Sequence, residues 1–188
     1  MSTPLLHVLA GPNGSGKSTF AQRYLVARTH LPFINADEIA AARWPGDEQA
    51  RAYDASRAAA EARARAIAHQ HSFITETVFS HPSKRDLILE AIGAGYRVEL
   101  HVMLVPVDLA VLRVEHRVAT GGHPVPEAKI RERYQRLYAL VAQARMVAHR
   151  TTFYDNSAPR PFRPVAVFDR GLAIERPRWP AWTPPELL

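Results

Sequence analysis

The sequence predicts an α/β fold of three layers (α/β/α), in which helices cover both faces of a mainly parallel five-stranded sheet and a β-hairpin follows near the C-terminal end. Short apolar segments rich in β-branched residues alternate with segments of helical periodicity, which is typical of a parallel sheet. With 188 residues, 47% of them hydrophobic, the chain is long enough to bury one core. A glycine-rich segment also follows the first apolar run directly, at the strand end where such sheets bind their ligands.

Each predicted strand is a short apolar run bounded by turn-forming residues. The strands are expected at residues 5–10, 31–35, 72–79, 97–105 and 151–157, and the hairpin at residues 164–175. Helices are expected at residues 17–28, in a short segment after residue 37, at 47–70, at 83–95, at 109–119 with Asp108 as the cap, and from residue 126 onward. We therefore expect a single domain over residues 1–175 and a proline-rich tail over residues 176–188, ordered by the packing of its tryptophans.

The composition excludes several kinds of chemistry. Because the chain contains no cysteine, it forms no disulfide, uses no thiolate nucleophile and binds no zinc through sulfur. No apolar run approaches the ~20 residues that a membrane-spanning helix needs, and the first residues lack the layout of a secretion signal. We therefore expect a cytoplasmic protein with no membrane partner.

The charge balance is positive, with a formal net charge of +6, and the 24 lysine and arginine residues include only three lysines, at positions 17, 84 and 129. Such a surface suits anionic partners such as nucleotides, phosphorylated metabolites, RNA or an acidic protein, although an ordinary solvated, arginine-rich surface gives the same count. Because the chain otherwise prefers arginine, the lysine inside the glycine-rich segment indicates a specific need for a compact ammonium group.

The segment "GPNGSGKST" contains the complete pattern Gly-x-x-x-x-Gly-Lys-Ser of a phosphate-binding loop (P-loop, or Walker A motif), placed between a strand and a helix. Its glycines let successive backbone N–H groups surround phosphate oxygens, and the helix that begins there adds the positive end of its dipole. Lys17 is expected to reach the β- and γ-phosphates of ATP or GTP, and Ser18 to bind Mg²⁺. The predicted nucleotide-binding residues of this loop are Gly11, Pro12, Asn13, Gly14, Ser15, Gly16, Lys17, Ser18 and Thr19.

The residues at the other strand ends favour phosphoryl transfer over hydrolysis by water. A kinase needs an acidic base near the acceptor and a mobile lid with arginines, whereas a hydrolase needs a second aspartate after an apolar strand and a group that positions water. Asp37, after the second strand, can accept the proton of an acceptor hydroxyl or contact Mg²⁺ through water, and it can equally be the N-cap of the next helix. Glu76, at the end of the third strand, can reach metal or substrate, or it is a plain exposed glutamate.

The stretch "ATGGHPVP" lies between two predicted helices and predicts a lid over about residues 117–133. Arginines flank it on both sides. Arg113 and Arg117 lie one helical turn apart on the first helix, and Arg131 and Arg133 lie near the start of the second. Closure of the lid would bring guanidinium groups to the charge that develops during transfer. The pattern does not choose between Arg131 and Arg133, and one of the four is expected to be an ordinary surface arginine. His123 is either a hydrogen-bonding residue of the lid or a turn residue.

The segments "GPNGSGKST", "INADEIA", "FITETVF", "RVATGGHPVPEAKIRERY" and "FYDNS" occur in an order that resembles the zeta-toxin-like small P-loop kinases, over roughly residues 5–157. The resemblance implies a P-loop NTPase/kinase-like fold. It also implies an ATP-dependent kinase that phosphorylates the 3′-hydroxyl of UDP-N-acetylglucosamine and is held silent by an antitoxin protein.

The resemblance further implies a role for each matching residue. Asp37 would activate the sugar hydroxyl, and Glu76 and Thr77 would hold the substrate. From their positions we also expect Asn35, Asp37 and Arg113 among the substrate-binding residues, and Glu76 beside Ser18 at Mg²⁺. The transferring phosphoryl group would be steadied by Lys17, Arg117 and either Arg131 or Arg133. The adenine would be contacted by Asp155 and Asn156.

Two other functions stay open on the residues alone. The positive surface could hold RNA or DNA while the loop binds ATP, although the chain lacks the interleaved aromatic residues of a single-strand stacking surface and its arginines are spread along helices. The chain could also be an ATP-gated binding module that regulates a partner. The patterns do not distinguish ATP from GTP, name the acceptor or fix the oligomeric state.

Overall fold

One sheet organises the molecule in the computed structural model, which describes residues 3–122, 124–159 and 161–188. Within these residues the strands are β1 (Leu5–Ala10), β2 (Phe33–Ile34), β3 (Phe73–Thr77), β4 (Arg97–Leu104), β5 (Arg150–Asp155), β6 (Arg163–Asp169) and β7 (Leu172–Ala173). Their order across the sheet is β2-β3-β1-β4-β5-β6-β7. Strands β1 to β5 are parallel, and β6 and β7 are antiparallel to their neighbours. The predicted fold class is confirmed, and the hairpin extends the five parallel strands to a sheet of seven.

The helices follow the strands as the periodicity predicts. Helix α1 begins directly after the glycine loop and consists of an α-helical turn (Lys17–Phe20), a π-helical segment (Ala21–Val26) and a last α-helical turn (Ala27–Thr29). The others are α2 (Ala36–Arg43), α3 (Ala52–Ala68), α4 (Ser83–Gly93), α5 (Val107–Ala119) and α6 (Glu127–Arg145), with a short 3₁₀ helix at Pro185–Leu187. Across the described ranges, no helix has both the length and the apolar character that crossing a membrane requires.

Two helix starts differ from the prediction. Helix α3 begins at Ala52 instead of residue 47, because the preceding residues form turns in which the Glu48 carboxylate accepts a hydrogen bond from the Gly46 backbone N–H. The predicted cap of α5 was also wrong. Pro106 occupies the cap position. Asp108 lies in the first turn of α5, and its carboxylate accepts a hydrogen bond from Arg131 of the neighbouring helix α6.

Both faces of the sheet are buried, as expected when parallel strands are covered on two sides. Alternate residues of β1 point to opposite faces: Leu6 and Val8 join the larger core, and Leu9 packs with Phe20 and Leu25 of α1. A third apolar cluster lies between α5 and α6. The sheet is therefore a rigid platform, and the functional side chains lie at its carboxyl edge.

The tail is held against the sheet. The Trp179 ring packs edge-on against Phe153 of β5 and stacks on Phe168 of β6, with ring centroids 5.1 and 6.2 Å apart. Leu187 is buried, and its backbone carbonyl accepts a hydrogen bond from the Arg145 guanidinium of α6. The expected packing of a tryptophan in the tail is therefore confirmed, and it holds the tail against strands β5 and β6.

A pair of histidines is buried under α1. His7 Nδ1 and His101 Nε2 are 3.0 Å apart on neighbouring strands, and the His101 ring packs against Phe20. Burial lowers the pKa of His7, and burial together with the neighbouring His7 lowers the pKa of His101 to about 3. His101 is therefore neutral at physiological pH and is part of the core on this face.

Candidate active site

A cavity of about 620 Å³ opens at the carboxyl edge of the sheet, beyond the ends of β1, β2 and β3. Parallel strands bring their carboxyl ends to one edge, so loops that are distant in sequence meet there. The predicted site residues that line the cavity are Asn13, Gly14, Gly16, Lys17, Ser18, Thr19, Asn35, Asp37, Glu76, Thr77, Arg113, Arg117 and Arg133. The predicted residues outside its lining are Gly11, Pro12, Ser15, Arg131, Asp155 and Asn156.

The glycine loop has the backbone conformation that its sequence predicts. Gly14 and Gly16 adopt φ values of +73° and +88°, in the left-handed region that side chains disfavour. A Cβ atom on Gly14 would lie 2.6 Å from the Ala110 carbonyl oxygen, and one on Gly16 would lie 2.6 Å from the side-chain nitrogen of Asn156. Both positions therefore require glycine for conformation and for space.

Lys17 is almost completely buried, with 9% of its surface exposed, and its ammonium group donates a hydrogen bond of 2.9 Å to the Pro12 carbonyl oxygen. Burial lowers the pKa of this lysine. The nearby Glu76 and Asp37 act in the opposite direction, and Arg117 and Arg133 lower the pKa further. The ammonium group is thus held inside the loop at the point where positive and negative side chains of the cavity converge.

Ser18 and Glu76 bring two oxygen atoms together. The Ser18 hydroxyl donates a hydrogen bond of 3.0 Å to Glu76 Oε1. The other carboxylate oxygen, Oε2, is buried and has no hydrogen-bond partner among the described residues. Burial raises the pKa of Glu76, against the lowering effects of Lys17 and of the hydrogen bond from Ser18. A hydroxyl beside an unsatisfied carboxylate oxygen is a donor set that suits Mg²⁺, so the residues fit the predicted metal.

Asn35, not Asp37, is the N-cap of α2. The Asn35 side-chain oxygen accepts a hydrogen bond of 2.7 Å from the Asp37 backbone N–H, which is the usual capping contact. The interpretation of Asp37 as the cap was therefore wrong. The Asp37 side chain is exposed at the cavity wall, and Asn35 is buried close enough to Glu76 to act against the rise in the pKa of that carboxyl.

The arginines of the predicted lid separate into two groups. Arg113 and Arg117 of α5 and Arg133 of α6 line the cavity. Arg131 instead forms ion pairs with Glu127 and Asp108, each with an N–O distance of 2.8 Å. The structure therefore places Arg133, and not Arg131, at the site. His123 lies outside the described residues.

Asp155 ends β5, and the next residue, Asn156, supports the glycine loop from behind. The buried Asp155 carboxylate accepts hydrogen bonds from the Ser157 hydroxyl and from Arg163, at 2.6 and 2.9 Å. The Asn156 amide donates a hydrogen bond of 2.9 Å to the Ser15 carbonyl oxygen. Both side chains are thus engaged in contacts within the protein, and the adenine contact that the resemblance implies stays a prediction.

Five polar residues of the cavity lining were not among the predicted site residues: Ser56, Arg63, Thr75, Ser80 and Lys84. The sequence does contain a signal for Arg63 and for Lys84. Arg63 continues the four-residue spacing of Ala55 and Ala59, the buried face of α3, and Lys84 is one of only three lysines in the chain. Neither signal indicates a cavity without knowledge of how α3 and α4 pack beside the glycine loop.

The strand, glycine loop and helix, with one carboxylate after β2 and another near the end of β3, define an α/β protein of the P-loop kinase-like class. The family model described as an AAA domain matches residues 6–140. The chain therefore belongs to the AAA domain family. A search of curated proteins found no matching sequence.

Solved structures show the same fold at low sequence identity. A chain of the AvrRxo1-ORF1:AvrRxo1-ORF2 complex with sulphate ions matches with a TM-score of 0.73 and 15% identity, covering 93% of this chain and 61% of that chain. A structure of the same complex with ATP gives a TM-score of 0.72, 15% identity and the same coverage. The present chain thus spans about three fifths of the AvrRxo1 chains that it matches.

Two further solved structures match over a smaller part of this chain. A chain of the PezAT chromosomal toxin-antitoxin system of Streptococcus pneumoniae has a TM-score of 0.64 and 14% identity, covering 82% of this chain and 68% of that chain. A gluconokinase from Sinorhizobium meliloti has a TM-score of 0.55 and 19% identity, covering 85% and 86%. At these identities the similarity establishes the fold that these proteins share with the present chain.

Proposed function

We propose that this protein is an ATP-dependent phosphotransferase that transfers the γ-phosphoryl group to a hydroxyl of a small molecule. One observation carries the proposal: Lys17 of the glycine loop, the Asp37 carboxylate and the Arg133 guanidinium line the same cavity. A protein that only binds nucleotide has no need of an exposed carboxylate facing the phosphate loop across a space of this size. Transfer requires that arrangement, because the acceptor must lie between the phosphate and its base.

The proposed reaction follows from the positions of the side chains. The acceptor oxygen forms a bond to the γ-phosphorus as the bond from that phosphorus to the β–γ bridging oxygen breaks, and ADP leaves. The proton of the hydroxyl passes to the Asp37 carboxylate. Lys17, Arg117 and Arg133 stabilise the negative charge of the transferring group, and Arg113, which also lines the cavity, positions the acceptor.

Ser18 and Glu76 would hold Mg²⁺ beside the triphosphate. When bound, the ion supplies neutralisation of the charge that develops on the phosphate oxygens. Asn35 contributes by capping α2, which fixes the direction in which the first turn and Asp37 face. Asn156 acts at the back of the loop, where its hydrogen bond to the Ser15 carbonyl oxygen holds the backbone in place, and Asp155 fixes the segment after β5 through Ser157 and Arg163.

A finer proposal concerns the acceptor and a partner. The order of motifs over residues 5–157 supports a nucleotide sugar such as UDP-N-acetylglucosamine as the acceptor. The similarity to a chain from the PezAT toxin-antitoxin system supports an antitoxin protein as the partner, and the AvrRxo1-ORF1:AvrRxo1-ORF2 complex supports a protein partner more generally.

The experiment is a transfer assay with γ-labelled ATP or GTP against UDP-N-acetylglucosamine, gluconate, simple sugars, nucleosides and RNA. We expect label to appear on a small molecule in the presence of Mg²⁺. The variant Asp37→Asn should lower the transfer rate by about 10²- to 10⁴-fold, as expected for loss of a general base, with nucleotide affinity nearly unchanged.

The matched control is Asp47→Asn, which alters an exposed carboxylate outside the cavity lining. It should leave transfer unchanged. Label on RNA alone would favour the nucleic-acid-directed function instead. Loss of nucleotide binding in Asp37→Asn would make this residue structural and would contradict the proposed mechanism.

A further inference from the structure

The end of the cavity formed by α3 and α4 is positively charged. Arg63 of α3 and Lys84 of α4 both line it, together with the hydroxyl-bearing Ser56 and Ser80. Both cations are half-buried, and they are close enough that Arg63 lowers the pKa of Lys84, whose lowering is due first to burial. Two like charges held together in a partly buried place are costly unless an anion joins them.

Arg63 differs from the other arginines around α3. Three of them form ion pairs with carboxylates at the surface: Arg51 with Asp47 and Asp54, and Arg57 and Arg65 with Glu61. Arg63 follows the buried positions of Ala55 and Ala59 at four-residue spacing and so lies on the inward face of the helix. Among the described residues its side chain has no hydrogen bond or ion pair, and the same is true of Lys84.

Lys84 is also in an unusual place. It is the second residue of α4, whose positive dipole end disfavours a lysine by a few tenths of a kcal/mol or more. The adjacent Arg85 is turned away and contacts Gln143 and Asp86. Helix dipole, ammonium and guanidinium thus reinforce one another at the same end of the cavity.

The charges of the whole cavity support the same conclusion. Six cationic side chains line it, against the carboxylates of Asp37 and Glu76. A magnesium-bound triphosphate carries about two net negative charges, which leaves an excess of about two positive charges in the cavity. The other four cations lie on the glycine loop and on α5 and α6, where the two carboxylates and the triphosphate would balance their charge. The two positive charges that stay unbalanced are therefore those of Arg63 and Lys84.

We infer that the acceptor is an anion, a hydroxyl compound with a carboxylate or phosphate group that Arg63 and Lys84 bind while its hydroxyl faces Asp37. The inference rests on the proposed phosphotransfer and narrows its substrate class. Ser56 and Ser80 offer hydroxyls to the same group. The shared chemistry is that of an oxyanion, which two cations and two hydroxyls recognise whether its central atom is carbon or phosphorus.

Binding is measured first, separately from chemistry. The glycine loop is filled with Mg²⁺ and a non-hydrolysable ATP analogue, and the affinity for sodium phosphate, gluconate, glucose 6-phosphate, UDP-N-acetylglucosamine and neutral glucose is measured by calorimetry. We expect at least one anion to bind and glucose to bind far more weakly. Comparing the affinity for gluconate with that for glucose 6-phosphate shows whether the site prefers a carboxylate or a phosphate.

The variants Arg63→Gln and Lys84→Gln should each weaken that anion by about 10- to 100-fold, the size expected for a charged hydrogen bond. The affinity of each variant for the ATP analogue should stay within about twofold of the wild-type affinity. Arg63→Lys and Lys84→Arg keep the charge and should retain part of the affinity, which distinguishes recognition from a folding defect. The matched controls are Arg57→Gln on the exposed face of α3 and Lys129→Gln, and both should bind like the wild type.

Turnover separates this inference from the proposed function. With the preferred anion as acceptor, Arg63→Gln and Lys84→Gln should raise KM much more than they lower kcat, and Asp37→Asn should do the reverse. If the anion binds through Arg63 and Lys84 but no label is transferred, these two residues form an anion-binding site and the proposed phosphotransfer is wrong. If transfer occurs equally well to a neutral acceptor, or if no anion binds more tightly than glucose, the anion site is overturned.

Discussion

The two ends of the cavity hold positive charge in different ways. At the loop end, Lys17 is buried, its ammonium group is hydrogen-bonded to the Pro12 carbonyl, and the carboxylates of Glu76 and Asp37 lie close enough to raise its pKa against the effect of burial. At the far end, Arg63 and Lys84 are only half-buried and have no carboxylate partner among the described residues.

The difference indicates how the two ends are used. Charge that is balanced within the protein stays fixed before the ligand arrives, which suits a group that must meet the triphosphate in one geometry. Charge that lacks a partner in the protein is available to a ligand and contributes to its selection. Under the proposed function, the loop end would thus serve the transfer step and the far end would bind the acceptor.

The largest expected effect is at the loop end. Lys17→Ala removes the ammonium group that we propose contacts the phosphates, and it should lower transfer by about 10³-fold or more. The measurement is the rate of label transfer from ATP. Lys129→Ala, at an exposed position on α6, is the matched control and should transfer normally. A Lys17→Ala variant with near-normal transfer would show that the two ends do not differ as described.

The next effect compares two arginines on one helix. Arg133→Gln removes a guanidinium group from the cavity and should lower kcat by about 10²-fold. Arg131→Gln breaks surface ion pairs, which are worth about 0–1 kcal/mol, and should leave kcat within about twofold. The kcat of both variants is measured with saturating ATP and acceptor. The reverse order would place Arg131 at the reacting phosphate.

The smallest effect concerns stability and pH. Because burial raises the folded-state pKa of Glu76 above its unfolded value, the folded chain holds this proton more tightly, and stability falls as pH rises through the raised pKa. Glu76→Gln should therefore raise the Tm of the ligand-free protein by about 2–4 °C at neutral pH, corresponding to about 1 kcal/mol, and change it little at low pH. At the same time it should weaken the stabilisation by MgATP.

Thermal unfolding between pH 4 and 8 checks this prediction, with Glu90→Gln on the exposed face of α4 as the control. A lower Tm for Glu76→Gln at neutral pH would mean that the carboxylate stabilises the fold. The metal-binding role assigned to its unsatisfied oxygen would then lose its support.

The sequence was sufficient for the parts of the site that depend on local geometry. The loop from Gly11 to Ser18 could be predicted because the glycine positions themselves specify the backbone, and Glu76 because parallel strands end at one edge. The choice between Arg131 and Arg133 could not be made. Residues two positions apart on a helix point about 200° apart, and which one faces the cavity depends on how α6 packs on α5.

The far end of the cavity was beyond sequence reasoning for a similar reason. Arg63 and Lys84 belong to different helices, and neither has a motif around it. Only the packing of α3 and α4 beside the loop brings them together. The capping of α2 by Asn35 was missed because Asn and Asp have similar preferences at N-cap positions, and the hydrogen bond that distinguishes them is visible only in the structure.

The most direct test of the central claim is a crystal structure of the protein with Mg²⁺ and a non-hydrolysable ATP analogue. The account predicts that the phosphates lie against the backbone of residues 11–18, that the terminal phosphate faces the Asp37 carboxylate with room for one hydroxyl between them, and that Arg63 and Lys84 lie beyond that space. A nucleotide bound elsewhere, or an Asp37 side chain turned away from the terminal phosphate, would contradict it.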